Sequence, residues 1–198
     1  MKPTRHNAAR TRWAVLHRLA LSALLGWTGL VGRAESPAFN EYEVKAAFLF
    51  NFTQFVEWPP AAFATAASPI HIGVLGDDPF GELFDQTVRG EMVKNRTIVI
   101  KRARRVEDLT NCHVLFIAKS EKPRLVQIMS VVQGRPILTV SDLDQFNRRG
   151  GIINFFFEGN KVRFEINLAA AERAGLKISS KLLKLGKVAG TAFALERG

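Results

Sequence analysis

The sequence predicts an α/β fold in a single domain. Its central mixed sheet has about six strands, mostly parallel with a C-terminal antiparallel hairpin, and helices lie on both faces. Three observations predict it. Short apolar runs alternate with capped or amphipathic segments across residues 70–150, the rhythm of parallel strands joined by helical crossovers. The run over residues 112–118 is almost wholly apolar, as a strand covered on both faces must be. After Gly150-Gly151 the rhythm changes to two strands, residues 152–157 and 161–166, joined through the two-residue hairpin signal Gly159-Asn160.

In chain order, residues 41–60 read as a helix carrying Phe48, Phe50, Phe52 and Phe55. At 100° per residue Val44, Phe48, Leu49, Phe52, Phe55 and Val56 share one broad arc, so this is a core helix. Glu43, Phe50, Thr53, Gln54 and Glu57 fall on the other side, and Phe50 is the misfit among them. Pro59-Pro60 is expected to end the helix, since neither ring can donate a backbone bond. Residues 70–75 are the first sheet strand. Gly76-Asp77-Asp78 turns the chain, with Asp78 the expected N-cap of a helix through Val88. Residues 97–100 form the next strand and 106–109 a helical turn. Ser120 is expected to cap a helix carrying Leu125, Val126, Ile128 and Met129. Residues 136–140 are a strand, and Ser141-Asp142-Leu143-Asp144 suggests a capping box for another helix. Past the hairpin, Asn167 caps a helix closed by Gly175, and Ser179 caps a last one ending at Gly186.

The first 34 residues read as a cleaved signal peptide, leaving residues 35–198 as the domain. Lys2, Arg5, Arg10 and Arg12 precede an apolar run at residues 19–31, and Gly32-Arg33-Ala34 supplies small residues for cleavage. The run is short of the ~20 residues that span a bilayer. The whole chain carries 28 Lys+Arg and 18 Asp+Glu, formally +10. Six of the basic residues leave with the signal, so the mature charge falls to +4. Most of the basic excess is therefore targeting charge, and a nucleic-acid partner is not expected. Cys112 is the sole cysteine, so an intrachain disulfide is excluded. Its apolar surroundings suit a buried thiol.

Catalytic constellations are thin. His71 and His113 each lie in an apolar run with no Glu or Cys at ligand spacing, which favours core histidines over a metal site. No nucleophile elbow, GxGxxG or P-loop is present, and Asp77-Asp78 would repel a phosphate at the one glycine turn that resembles such a site. Two basic groups remain. Lys101, Arg102, Arg104 and Arg105 form one; Lys177, Lys181, Lys184 and Lys187 form the other. Such groups serve as solvated faces or as contacts to an acidic protein or anionic membrane. Phe50 and Trp58, flanked by Glu57, stand out as aromatic anchors for a partner, or as rings covered within the fold.

The ordered set of segments resembles a known family. Lys45-Ala46-Ala47-Phe48-Leu49-Phe50-Asn51-Phe52 and Phe55-Val56-Glu57-Trp58-Pro59 begin it. His113-Val114-Leu115-Phe116-Ile117, Val162-Arg163-Phe164-Glu165-Ile166-Asn167 and the tail from Ala174 to Leu183 complete it. Over about residues 41–189 the chain resembles the YfiR family of small periplasmic regulators. The resemblance implies an α/β fold, a periplasmic location, no enzymatic activity and no cofactor. It also implies repression of a membrane-bound diguanylate cyclase through that enzyme's periplasmic domain. An outer-membrane lipoprotein would relieve the repression, so that cyclic-di-GMP and biofilm formation respond to envelope stress. The family's namesake has intrachain disulfides tied to redox control, and Cys112 alone cannot reproduce them.

Two readings follow. In the first, the chain is an inhibitory adaptor whose partner-binding residues are Phe50, Glu57 and Trp58, with Arg163, Glu165 and Asn167 on the polar face of the hairpin. A second copy of the chain is a further candidate partner. In the second, it is a periplasmic small-molecule-binding protein using the loops after Leu75, Ile100 and Ala118, at the C-terminal edge of the parallel strands.

Overall fold

The computed structural model describes residues 41–189, so the expected signal peptide lies outside the described residues. Strands β2 (Ile70–Leu75), β4 (Arg96–Ala103), β5 (Val114–Ile117), β6 (Leu138–Ser141) and β7 (Ile153–Glu158) are parallel. They stand in the order β4-β2-β5-β6-β7, the doubly wound arrangement whose direction of winding reverses between β2 and β5. Strand β8 (Lys161–Ile166) returns antiparallel to β7, with Glu158 opposite Lys161 across Gly159-Asn160. Two-residue strands extend the sheet to eight: β3 (Met92–Val93) beside β4, and β10 (Lys187–Val188) beside β8. A separate two-stranded ladder joins β1 (Val56–Glu57) to β9 (Lys177–Ile178).

The six expected strands are present and the mixed, open sheet is as read from the sequence. Helices α1 (Glu41–Phe55), α2 (Glu82–Val88), α4 (Leu168–Arg173) and α5 (Ser180–Leu185) pack with one core cluster; α3 (Leu125–Val132) packs with the other. Side-chain alternation divides the clusters. In β5, Val114 and Phe116 join the first cluster while Leu115 and Ile117 join the second.

Helix α1 is the largest contributor to the first cluster. Phe52 is fully buried, worth about 1.5–3 kcal/mol, and stacks at 5.8 Å on Phe155 and edge-on at 5.1 Å to Phe164. The buried stripe nevertheless differs from the expected arc. It runs through Lys45, Ala46, Leu49, Phe52 and Thr53, while Val44, Phe48 and Phe55 are half-buried. Thr53, assigned to the polar side, is buried because its hydroxyl donates to the Phe50 carbonyl at 2.6 Å within the helix. The helix also stops earlier than Pro59-Pro60. Val56 and Glu57 leave it to pair with Ile178 and Lys177, a ladder whose partner lies far along the chain.

Three cap assignments give way to other bonds. Asp78 accepts from the Phe80 N–H at 2.8 Å in a local turn, and α2 begins only at Glu82. Ser120 accepts from the Asp77 N–H at 2.9 Å, and a 3-10 segment, Lys119–Arg124, precedes α3. Ser141 ends β6; its hydroxyl donates to the Ile117 carbonyl and accepts from the Leu143 N–H, and the helix expected there is a 3-10 turn, Phe146–Arg149. The N-caps of the last two helices form as expected. Asn167 accepts from the Ala170 N–H, and Ser179 from the Leu182 N–H.

Candidate functional site

The hairpin offers a built and exposed surface. Because side chains alternate along β8, Val162, Phe164 and Ile166 enter the core while Lys161, Arg163 and Glu165 face the other way. Arg163 stands opposite Phe156, and Glu165 opposite Asn154. Glu158 accepts from Lys187 of β10 at 2.7 Å and lies 3.4 Å from Arg163. The hydrogen bond and charge of Lys187, aided by Arg163, hold its carboxyl below the usual carboxylate range. Lys187 also sits 5.0 Å over the half-buried Phe156 ring. An aromatic ring framed by a cation–anion–cation row is an arrangement suited to a protein partner. Phe156 and Glu158 are not among the residues expected to meet a partner, and Lys187, expected in a basic C-terminal group, stands instead in β10 beside them. The register of the hairpin, once counted back from Gly159-Asn160, places Phe156 and Arg163 together.

The expected partner residues divide between two surfaces. Phe50 is half-buried on α1 and packs against the first core cluster. Glu57 is exposed in β1. Trp58 is half-buried, its indole N–H donating to the His113 carbonyl at 3.0 Å and its ring edge-on to His113 at 5.9 Å. Asn167 is committed to the fold, capping α4 and donating to the Asn147 carbonyl at 3.0 Å. Arg163 and Glu165 lie on the sheet face opposite to that covered by α1, so the six residues do not form one patch.

A model of the YfiR/HmsC-like family matches residues 42–187. The chain belongs to the YfiR/HmsC-like family. YfiR/HmsC-like proteins are periplasmic, non-enzymatic regulators, and the membership supports a general role in cyclic-di-GMP signalling. A solved structure, a conserved domain protein from Vibrio cholerae O1 biovar eltor str. n16961, superposes with a TM-score of 0.50 at 13% identity. The match takes in 75% of this chain and 60% of that one, and it shows the shared fold. Among the described residues of this YfiR/HmsC-like chain, no helix is long and apolar enough to cross a membrane.

The two histidines of this YfiR/HmsC-like domain are neighbours, with ring centroids 6.0 Å apart. His113 is fully engaged. Its Nδ1 accepts from the His71 backbone N–H at 3.0 Å, and its Nε2 faces the Ala62 carbonyl at 3.1 Å. That pattern fixes a neutral ring with the proton on Nε2 and leaves no lone pair for a metal. Among the described residues, no group of three or more His, Cys, Asp or Glu is placed to hold a metal ion.

The crevice between the ends of β2 and β5, where doubly wound sheets commonly bind ligands, is filled by the chain itself. A Cβ on Gly76 would lie 2.5 Å from Ser120 Oγ and 2.8 Å from Glu121. The Asp77 and Asp78 carboxylates meet Arg104 at 2.5 Å and Arg102 at 2.6 Å, so the acidic turn and the basic strand neutralise each other. One strand further along, a cleft of about 670 Å³ opens over an ion cluster that the sequence did not announce. Lys45, 2% exposed, is held between Glu41 and Asp142; Tyr42 also donates to Asp142, at 3.1 Å. Burial first, and then the Asp142 charge, push the Tyr42 hydroxyl well above its ordinary range.

Proposed function

We propose that this protein represses an inner-membrane diguanylate cyclase by binding its periplasmic domain through the exposed face of the β7–β8 hairpin. The reading rests on family membership together with one observation: Phe156 framed by Arg163, Glu158 and Lys187 on a solvent-facing stretch of sheet. Arg163 and Glu158 are about half exposed, so their charges are available to a partner at little cost to the fold. Glu57, on the α1 side, is a second contact candidate; Phe50, Trp58 and Asn167 act mainly by holding the surfaces in place.

Binding can silence the cyclase only through unequal affinity for its two states. Moving an equilibrium from 99:1 active to 1:99 requires about 5.5 kcal/mol of preference. A few well-placed side chains can supply much of that, since partner hot spots lose about 2 kcal/mol or more on truncation. The test is cellular cyclic-di-GMP, and co-purification with the cyclase, in strains carrying Arg163→Glu or Phe156→Ala. Both variants should fold, lose co-purification and raise cyclic-di-GMP. Full repression by both, with folding confirmed, would remove the hairpin from the interface.

A further inference from the structure

At the end of the sheet away from the hairpin turn lies a second cleft, of about 550 Å³. The starts of β2 and β6, the segment before β5 and the 3-10 turn Pro60–Ala62 with the loop after it enclose it. Its charged wall is one-sided. Lys101 and Arg135 line it beside His71, and no aspartate or glutamate is among the described residues that do. Lys101, from β4, stands in register with Gly73 of β2, where no side chain crowds it from the neighbouring strand.

The cations around this cleft differ from their neighbours. Arg102 and Arg104 on the same strand and beyond it are matched by Asp78, Asp85 and Asp77. Lys101 is half-buried and pairs with no carboxylate among the described residues. Arg135 donates through Nε to the Val131 carbonyl at 2.9 Å, which leaves its two terminal nitrogens for other acceptors. Arg96 adds charge from behind, lying 3.8 Å over the Phe63 ring. The positive field is felt inside. Burial is the larger cause at both histidines, but the Lys101 charge further lowers the pKa of His71 and His113, and at Cys112 it works against burial.

The rest of the wall sets the apolar Ala62, Phe63, Pro136 and Ile137 beside the polar Ser68, Thr110 and Asn111. We infer that this cleft binds a short-chain organic carboxylate, its anionic end against Lys101 and Arg135 and its hydrocarbon end along Phe63 and Ile137. A cleft of this size with convergent polar groups in an apolar wall has the make-up of a small-molecule site. Lys101 and Arg135 can each donate to one carboxylate, and the apolar side chains of Phe63, Pro136 and Ile137 reward a hydrocarbon chain that phosphate lacks. The site is separate from the hairpin surface, and binding here stands or falls without reference to the cyclase.

Titration calorimetry of the purified protein with acetate, butyrate, hexanoate and inorganic phosphate at pH 7 tests this, with imidazole NMR resonances followed in parallel. Hexanoate and butyrate should bind saturably and more tightly than acetate, and should shift the His71 and His113 signals. Lys101→Gln should weaken binding about tenfold or more, Arg135→Gln should weaken it also, and Lys119→Gln, on the other cleft, should leave it unchanged. Equal thermal melts for these variants confirm folding. No saturable binding would overturn the inference. So would phosphate binding as tightly as hexanoate (an adventitious ion only), unmoved histidine signals, or equal losses in the Lys101 and Lys119 variants.

Discussion

Lys45→Met withdraws a buried ammonium from between two carboxylates. Lys45 is 2% exposed, the Asp142 side chain 4% and the Glu41 side chain 27%. With the lysine gone, Asp142 retains Tyr42 at 3.1 Å and the exposed Lys119 at 3.5 Å, and its Oδ1 has no donor among the described residues. Breaking a buried ion pair from one side costs about 3–5 kcal/mol. The two remaining partners argue for the lower end, about 3 kcal/mol. Set against a total stability of about 5–15 kcal/mol, that is a large share, and it corresponds to a melting temperature lower by about 6–12 °C. Urea unfolding followed by circular dichroism reads the loss directly, as a lower midpoint at unchanged slope. The double variant Lys45→Met/Asp142→Leu removes both charges and should recover most of the stability, because no uncompensated ion is then buried. A single variant within about 1 kcal/mol of the parent, or a double variant weaker than the single, would refute the reasoning.

Further outcomes follow from other buried groups. Burial pushes His113 from an ordinary 6.5 down to about 4, so the unfolded chain takes up this proton first. Its contribution, about 3 kcal/mol, is whole above pH ~6.5 and is lost as pH falls toward 4; urea unfolding across that window should show the slope, and His113→Gln should flatten it. Gly151→Ala would put a Cβ 2.2 Å from the Phe146 ring, costing about 1–3 kcal/mol or more and lowering the thermal midpoint. Burial pushes the Cys112 thiol up to about 11, so it carries about a hundredfold less thiolate than an exposed cysteine; a thiol reagent at neutral pH should label it slowly in the native protein and quickly in urea.

What could be read in advance was local. The Gly159-Asn160 turn, the Asn167 and Ser179 caps and the apolar strands depend on residues within a few positions of one another, and each formed as expected. What could not be read depends on distant partners. Lys45 looks like a solvated residue until Asp142, 97 positions away, reaches it. Val56 and Glu57 look helical until residues 177 and 178 offer them a ladder. Ser120 and Ser141 look like caps by position alone, but tertiary contacts supply other partners for their hydroxyls. Of the candidate site, the Arg163–Glu165 face was legible from strand alternation. The placing of Lys187 over Phe156 was not, because β10 is two residues long and carries no periodic signal.

The β1–β9 ladder also sets an order of events. Helix α1 is the first described element, yet Phe52 rests on Phe155 and Phe164, and Val56 on Ile178. Phe155 and Phe164, which meet Phe48 and Phe52, and Ile178, which pairs with Val56, all come from the last third of the polypeptide, whereas Tyr42 meets Phe80. A chain emerging from its amino end therefore carries Phe48 and Phe52 without these two ring partners until residue 164 has followed, and Val56 without its ladder until residue 178. Truncations ahead of β7 remove Phe155 and Phe164 from that helix, and they should yield aggregates rather than a shorter domain.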